Sequence, residues 1–210
     1  MTAVRSPVED PLWAPFEDRR RLRDEKREAV LRMAVRLFLE EGYHRTPLAR
    51  IAERLNITKP ALYNYFRSKD EILSELFRLG EEQYEERFGR IAAEPAGDGL
   101  ATLKALIRTY ARSMTTDFGM CFARLDDREL DDEARAAVRR SKRRYDLAFR
   151  TAIERGVADG SIRPCNARMA AFAVAGALNG IADWYKPGGG LTVEAIGDEF
   201  ATLLTAGLAA

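Results

Sequence analysis

Histidine is almost missing from the 210 residues, since His44 is the only one. Cysteine is nearly as scarce: Cys121 and Cys165 stand far apart, so no pair has zinc spacing and no His-based metal site can be assembled. The sequence also lacks a Gly-rich phosphate loop and a nucleophile motif, which argues against an enzyme and against a bound cofactor. Its first twenty residues carry Arg5, Glu9, Asp10, Glu17 and Asp18 with no apolar h-region, so no secretory leader is expected. The longest uncharged run that reads as helix, Met169–Ala182, is too short to span a bilayer. Both thiols are then expected to be reduced rather than paired. These absences describe a soluble, cytoplasmic protein with no membrane contact, no metal and no cofactor.

Net charge is also low, at +1, but it is unevenly spread. From Arg19 to Lys69 there are 14 Lys and Arg against 6 Asp and Glu, a net of +8, and the rest carries −7. A basic first third on an acidic remainder points to a polyanion held by one part of the chain only.

Helical periodicity runs almost throughout. Residues 1–22, with Pro7, Pro11 and Pro15 and the cluster Arg19-Arg20-Arg21, read as a flexible basic arm. Val30, Met33, Ala34, Leu37 and Phe38 mark the face of a first helix, which Gly42 would stop in the left-handed conformation. Thr46-Pro47 predicts an N-cap and an N1 proline for a short second helix, ended by Asn56. Thr58 caps a third, from Lys59 to about Phe66. Ser68-Lys69-Asp70-Glu71 is a capping box before a long fourth helix. Apolar stripes continue from Leu100 to Met114, around Phe118–Leu125, from Asp132 to Gly156, from Asn166 to about Tyr185, and beyond Thr192. No strand alternation competes. The fold class is all-α: a three-helix helix-turn-helix unit over 23–70, then a helical ligand-binding and dimerisation unit over 71–210.

Two short helices joined by Asn56-Ile57-Thr58 have the form that inserts its second helix into the major groove. Thr58 and the first N–H groups of that helix suit a phosphate, and Lys59 can reach guanine acceptors or phosphate. The ring of Pro60 can pack on a thymine methyl, and Asn64 can pair with an adenine edge. Tyr63, Tyr65 and Lys69 suit phosphate clamping, which fixes register without reading sequence. Thr46 and Ala61 complete the candidate DNA-binding set. The residues alone leave a plainer reading open, with the tyrosines in a small core and Lys59 solvated. His44 and the arginines at 19, 20, 21 and 23 are equally open, as backbone or minor-groove contacts or as solvated charge.

The run Leu37-Phe38-Leu39-Glu40-Glu41-Gly42-Tyr43, Thr46, Ile51-Ala52, Leu55 through Phe66, and Ser68 through Leu73 resembles the N-terminal domain of TetR/AcrR-family transcriptional regulators. Asn56 and Pro60 depart from it, standing where the family often has glycine. The resemblance implies a homodimer that represses promoters from a palindromic double-stranded operator and is released by a small-molecule effector. It also favours phosphate contacts by Tyr63 and Lys69.

In the remainder, Ala170, Ala171, Ala173, Ala175, Gly176, Ala177 and Gly180 would let helices approach closely, and with the last helix they resemble the family's dimer face. Ordinary packing within one chain is the alternative. Candidate ligand-lining residues are Phe77, Tyr84, Phe88, Tyr110, Met114, Phe118, Met120, Phe122, Phe149, Phe172 and Asn179, most of them expected to be plain core. Arg143-Arg144-Tyr145-Asp146, Ala177-Leu178-Asn179-Gly180 and Trp184 through Gly189 resemble the ketosteroid-catabolism-regulator branch, whose members sense CoA thioesters. That implies an acyl-CoA-type effector, with Arg139, Arg140, Arg143 or Arg144 as phosphate partners or, alternatively, as a solvated basic face. Rival functions are a hydrophobic-ligand carrier with an idle helix-turn-helix, and an activator of the same fold. The acidic stretch at 126–133 lacks EF-hand spacing and reads as helix-capping loop.

Overall fold

The computed structural model of the protein describes residues 14–94, 97–126, 128 and 130–210, with side chains from Arg21 onward. Helix α1 spans Ala14–Glu41. Much of the stretch read as a flexible arm is therefore helix, from 14 to 22, while 1–13 lie outside the described residues. The reason is legible in hindsight. Pro15 falls in the first turn, where its missing N–H costs nothing, and from Phe16 to Glu41 there is neither Gly nor Pro. Arg21 pairs with Glu25 at 3.7 Å, an exposed contact along one helix face, not an extended basic reach.

Gly42 ends α1 at φ +86°, its N–H returning to the Phe38 carbonyl at 3.1 Å. Helix α2 (Leu48–Arg54) buries Ile51 and Ala52. Thr46 is not its cap. Pro47 holds the N-cap position, so the helix starts a residue later than expected. Thr46 is wholly buried, and its hydroxyl donates to the Gly42 carbonyl at 2.8 Å with the Leu37 carbonyl at 3.3 Å. It pins the turn to the end of α1, which removes its side chain from nucleic-acid contact. Asn56 takes φ +53° as expected.

Helix α3 (Lys59–Tyr63) is capped by the Thr58 hydroxyl and is shorter than its sequence suggested. The N–H groups of Tyr65 and Phe66 both turn back to the Leu62 carbonyl, which closes the helix and drops the Phe66 ring into the core. In the capping box of α4 (Lys69–Gln83), Ser68 accepts from the Glu71 N–H at 3.0 Å and the Glu71 carboxylate accepts from the Arg67 N–H at 2.7 Å. The helix continues through a π turn, Tyr84–Gly89, into α5 (Arg90–Ala93).

Five later helices open on a side-chain cap: Asp98 for α6 (Gly99–Met114), Thr116 for α7 (Asp117–Arg124), Asp131 for α8 (Asp132–Asp159), Asn166 for α9 (Ala167–Asn179) and Thr192 for α11 (Val193–Ala206). Gly180 interrupts the helix expected to reach Tyr185, leaving a short α10 (Ile181–Trp184). Helices α6 and α8 cross in backbone contact: a Cβ on Gly99 would sit 2.1 Å from the Gly156 nitrogen.

Two cores form, and they do not divide at residue 70. The first joins α1, α2 and α3 to Ile72, Leu73, Leu76 and Phe77 of α4, Cys121 of α7, and Ala134 and Val138 of α8. The second is built from α6, α9, α11, Phe88 and the later half of α8. Helix α8 thus belongs to both cores, and α7 meets the second through Ala123. Thr46→Val should destabilise the protein by about 1–2 kcal/mol, because two buried carbonyls lose their donor; an unchanged urea midpoint would contradict the role assigned to Thr46.

Candidate nucleic-acid interface and internal cavity

Helix α3 is held from behind and bare in front. Leu62 and Phe66 are almost inaccessible, whereas Thr58, Lys59, Pro60, Tyr63 and Asn64 are exposed, Tyr63 to 51%. Ala61 and Tyr65 are half-buried beside them. An exposed tyrosine, lysine and asparagine on one short helix can present hydrogen-bonding groups to a groove while the backbone stays fixed. The Thr58 hydroxyl already accepts from the Ala61 N–H at 3.3 Å, and Pro60 has no N–H, so less of the helix end is open to a phosphate than the sequence implied.

Two basic residues brace this unit. Lys69 is half-buried: its Nζ donates to the carbonyls of Tyr43 (2.7 Å) and His44 (3.3 Å) and lies 4.2 Å from the centre of the Tyr43 ring. The Tyr43 hydroxyl donates to Asp70 at 2.7 Å, and burial with that carboxylate raises its pKa. His44 is exposed, its ring edge-on to Tyr43. Arg27, missed in the sequence, reaches from α1 to the Tyr65 carbonyl at 2.9 Å, covers the Phe66 ring at 4.2 Å and faces Glu75 at 3.7 Å. Its helical position carried no signal, because one more arginine among many on α1 looks solvated.

A narrow cavity of about 40 Å³ lies between the α4 π turn, α6, α7 and α8. Of the candidate ligand residues, Tyr84, Phe88, Tyr110, Met114, Phe118 and Phe122 border it. Phe77 borders an adjoining small recess with Phe118, Phe122 and Tyr145. The others do not line it. Phe149 is fully buried core behind the aromatic cluster, and Met120 is buried on another side of α7. Phe172 points outward, 47% exposed, because it falls on the face of α9 opposite Ala171, Val174 and Leu178. Asn179 lies at the exposed end of α9, where its Oδ1 accepts from the Tyr110 hydroxyl at 2.7 Å and so orients a cavity side chain indirectly.

The polar lining, Gln83, Arg87, Thr109, Ser113 and Thr116, and the ring of Tyr145 were not among the residues expected from the sequence. Tyr145 stands edge-on to Tyr84, Phe88 and Tyr110 at 4.8–5.0 Å between centroids, and burial pushes its pKa up to about 12. Arg144 stacks on the Tyr84 ring at 4.3 Å, pairs with Glu85 and accepts the Tyr84 hydroxyl on its carbonyl, so it supports a cavity side chain from outside. Arg139, Arg140 and Arg143 are exposed on α8, and none of the four arginines borders the cavity.

Helix α7 connects the two sites. Phe118 and Phe122 face the cavity while also packing against the first core, to which Cys121 contributes. Gly80 of α4 admits the Phe118 ring so closely that a Cβ there would lie 2.7 Å from it.

Comparison with known proteins agrees with this geometry. Residues 96–208 match the model of tetracyclin repressor-like C-terminal domains, and residues 30–76 match that of bacterial regulatory proteins of the tetR family. The chain belongs to the TetR family. It is a ligand-responsive DNA-binding transcriptional regulator rather than an enzyme. It is similar to the transcriptional repressor KstR2 of Rhodococcus jostii, 28% identical over 193 residues that cover 88% of this chain and 91% of that one. Among solved structures, AibR in complex with isovaleryl coenzyme A and operator DNA aligns with TM-score 0.73 at 26% identity, over 84% of this chain and 96% of that one. KstR2 of Mycobacterium tuberculosis shares the fold, with TM-score 0.79 at 20% identity over 88% and 95%.

The two thiols of this TetR-family chain should behave differently. Burial pushes Cys121 up to about 12, while Cys165 is exposed. A thiol reagent at pH 8 should therefore modify one cysteine in the native protein and both after unfolding; rapid native reaction of both would contradict the packing of α7 on α1.

Proposed function

We propose that this regulator is a homodimeric repressor that leaves a palindromic operator when a hydrophobic or acyl-CoA-type effector enters the cavity walled by α7. The observation that carries the reading is the double position of α7, whose Phe118 and Phe122 border the cavity and pack on the core that supports α3. Enlarging a cavity of about 40 Å³ requires its walls to move, and the α7 wall cannot move without disturbing α1 and α4. The lever is therefore α7 against α4. An effector that fits only the rearranged form lowers operator affinity by the ratio of its affinities for the two forms.

The DNA contacts follow the exposure of α3. Lys59, Pro60 and Asn64 reach base edges, while Thr58 and Tyr63 hold phosphates. Ala61 and Tyr65 make backbone or edge contacts beside them, and Lys69 chiefly braces the turn. Dimerisation uses the outer faces of α9, α10 and α11, where Met169, Phe172, Trp184 and Leu203 are exposed together with the small residues Ala173 and Gly176. Covering such side chains is what a second copy would accomplish. The pairing presents α3 twice, as a palindrome requires. AibR, whose complex holds isovaleryl coenzyme A and operator DNA, supports an acyl-CoA effector here. A chain that acts on chromosomal DNA works in the cytoplasm.

Lys59→Ala and Tyr63→Ala should each weaken binding to a selected operator by roughly tenfold or more, with the salt slope flattened only by Lys59→Ala, by about one at most, because it alone removes a cation. Dimerisation and effector binding should be untouched. A carrier with an idle helix-turn-helix would instead show no operator binding to lose in the wild type.

A further inference from the structure

Beside the cavity, between the π turn with α5 on one side and α6 on the other, runs an open groove of about 580 Å³. It is bordered by Arg87, Ile91, Ala105, Arg108, Thr109 and Arg112, a set with three guanidinium groups and no carboxylate. Arg87 and Thr109 border both the groove and the cavity, so the two spaces share a wall and adjoin at its edge. Chain geometry explains the layout. Arg108 and Arg112 are one turn apart on α6, with Ala105 one turn before Thr109, so charge and small side chains alternate along that wall. Opposite them, the π turn rotates the helix surface between Tyr84 and Gly89, sending Tyr84 and Phe88 into the cavity while Arg87 is exposed at its rim. Inserted π turns recur at functional sites because they shift side chains out of α-helical register in this way.

Two of the three cations are not idle. Arg108 Nε lies 2.6 Å from Asp198 and Arg112 Nη2 lies 3.7 Å from Glu194, both on α11. These are exposed pairs, each using one edge of a five-donor fork, so donors remain for a second anion. Arginine is suited to that task, since its planar fork matches phosphate oxygens and stays charged at every working pH.

We infer that the groove of Arg87, Arg108 and Arg112 binds the polyanionic, phosphate-bearing end of the effector while its acyl end occupies the adjoining aromatic cavity. This rests on the reading of an acyl-CoA-type effector and gives it an address. It places the phosphate site at the cavity mouth and leaves the α8 arginines to the alternative reading, a solvated basic face. The effector class is an amphiphile with a slim apolar end and several phosphate charges, and an uncharged thioester of the same acyl group would use only half of the site. The site also touches α11 through Asp198 and Glu194, so phosphate binding would compete with the pairs that join α6 to that helix.

The test is calorimetric titration of the full-length protein with saturated acyl-CoAs from C4 to C16, and with the matching acyl-N-acetylcysteamine thioesters, which lack phosphates. Arg108→Gln and Arg112→Gln, which border the groove but not the cavity, should each weaken the acyl-CoAs by roughly tenfold, the size of one charge-assisted contact, and leave the phosphate-free thioesters unchanged. Native melting temperature and operator affinity without ligand confirm that each variant folds. If the wild type binds acyl-CoAs and both variants bind them equally well, the groove assignment is wrong and the effector reading stands. Equal loss for both ligand types would also overturn it, since the variants would then be damaging the cavity. If the wild type binds none of the acyl-CoAs, the effector reading fails and the groove assignment falls with it.

Discussion

The structure depends on one packing constraint: the aromatic side chains of α7 fill space that two regions both need. Phe118 and Phe122 sit against α4 and α8, lie beside the cavity, and complete a core whose other side holds α1 and α3. Dense packing makes such an element bistable rather than compliant, because a ring cannot shift by a fraction of an ångström without displacing its neighbours. The near-contact of Phe118 with Gly80 shows how little slack remains on that side. On the proposed function, communication between a bound effector and α3 needs no more than this shared wall.

Below that level, the DNA-reading unit is stiffened by polar contacts that its charge pattern does not advertise. Thr46 ties the turn to α1, Lys69 spans the Tyr43 and His44 carbonyls, and Arg27 clamps the segment after α3. Each positions α3 without being exposed on its outer face. Base readers tolerate little positional error, so a five-residue helix with one fully buried anchor, Leu62, gains from such external bracing.

Much of this was legible in the residues. Caps at Thr58, Ser68, Asn166 and Thr192, the left-handed Asn56 and the stop at Gly42 are local chemistry, and local chemistry reads directly from sequence. The α3 face was legible for the same reason, because exposed Lys59, Tyr63 and Asn64 alternate with an obligatory apolar position. What could not be read was non-local. Thr46 beside Pro47 looks like a cap until the depth of the turn is known. Phe172 and Phe149 carry the same apolar signal as Tyr84, yet one faces outward and one lies behind the cavity. The π turn left no periodic mark strong enough to show that Arg87 would stand at the cavity mouth, and the first core overruns residue 70 because an apolar stripe does not say which partner it meets.

The central claim is that cavity and DNA-reading helix are thermodynamically linked through α7, and linkage has a signature that packing alone cannot mimic. The direct measurement is a closed cycle: operator affinity by fluorescence anisotropy with and without a saturating acyl-CoA, and the affinity of that acyl-CoA with and without saturating operator. The account predicts that both affinities fall by one common factor, at least about fivefold. Operator affinity that stays constant while the acyl-CoA is demonstrably bound would contradict it.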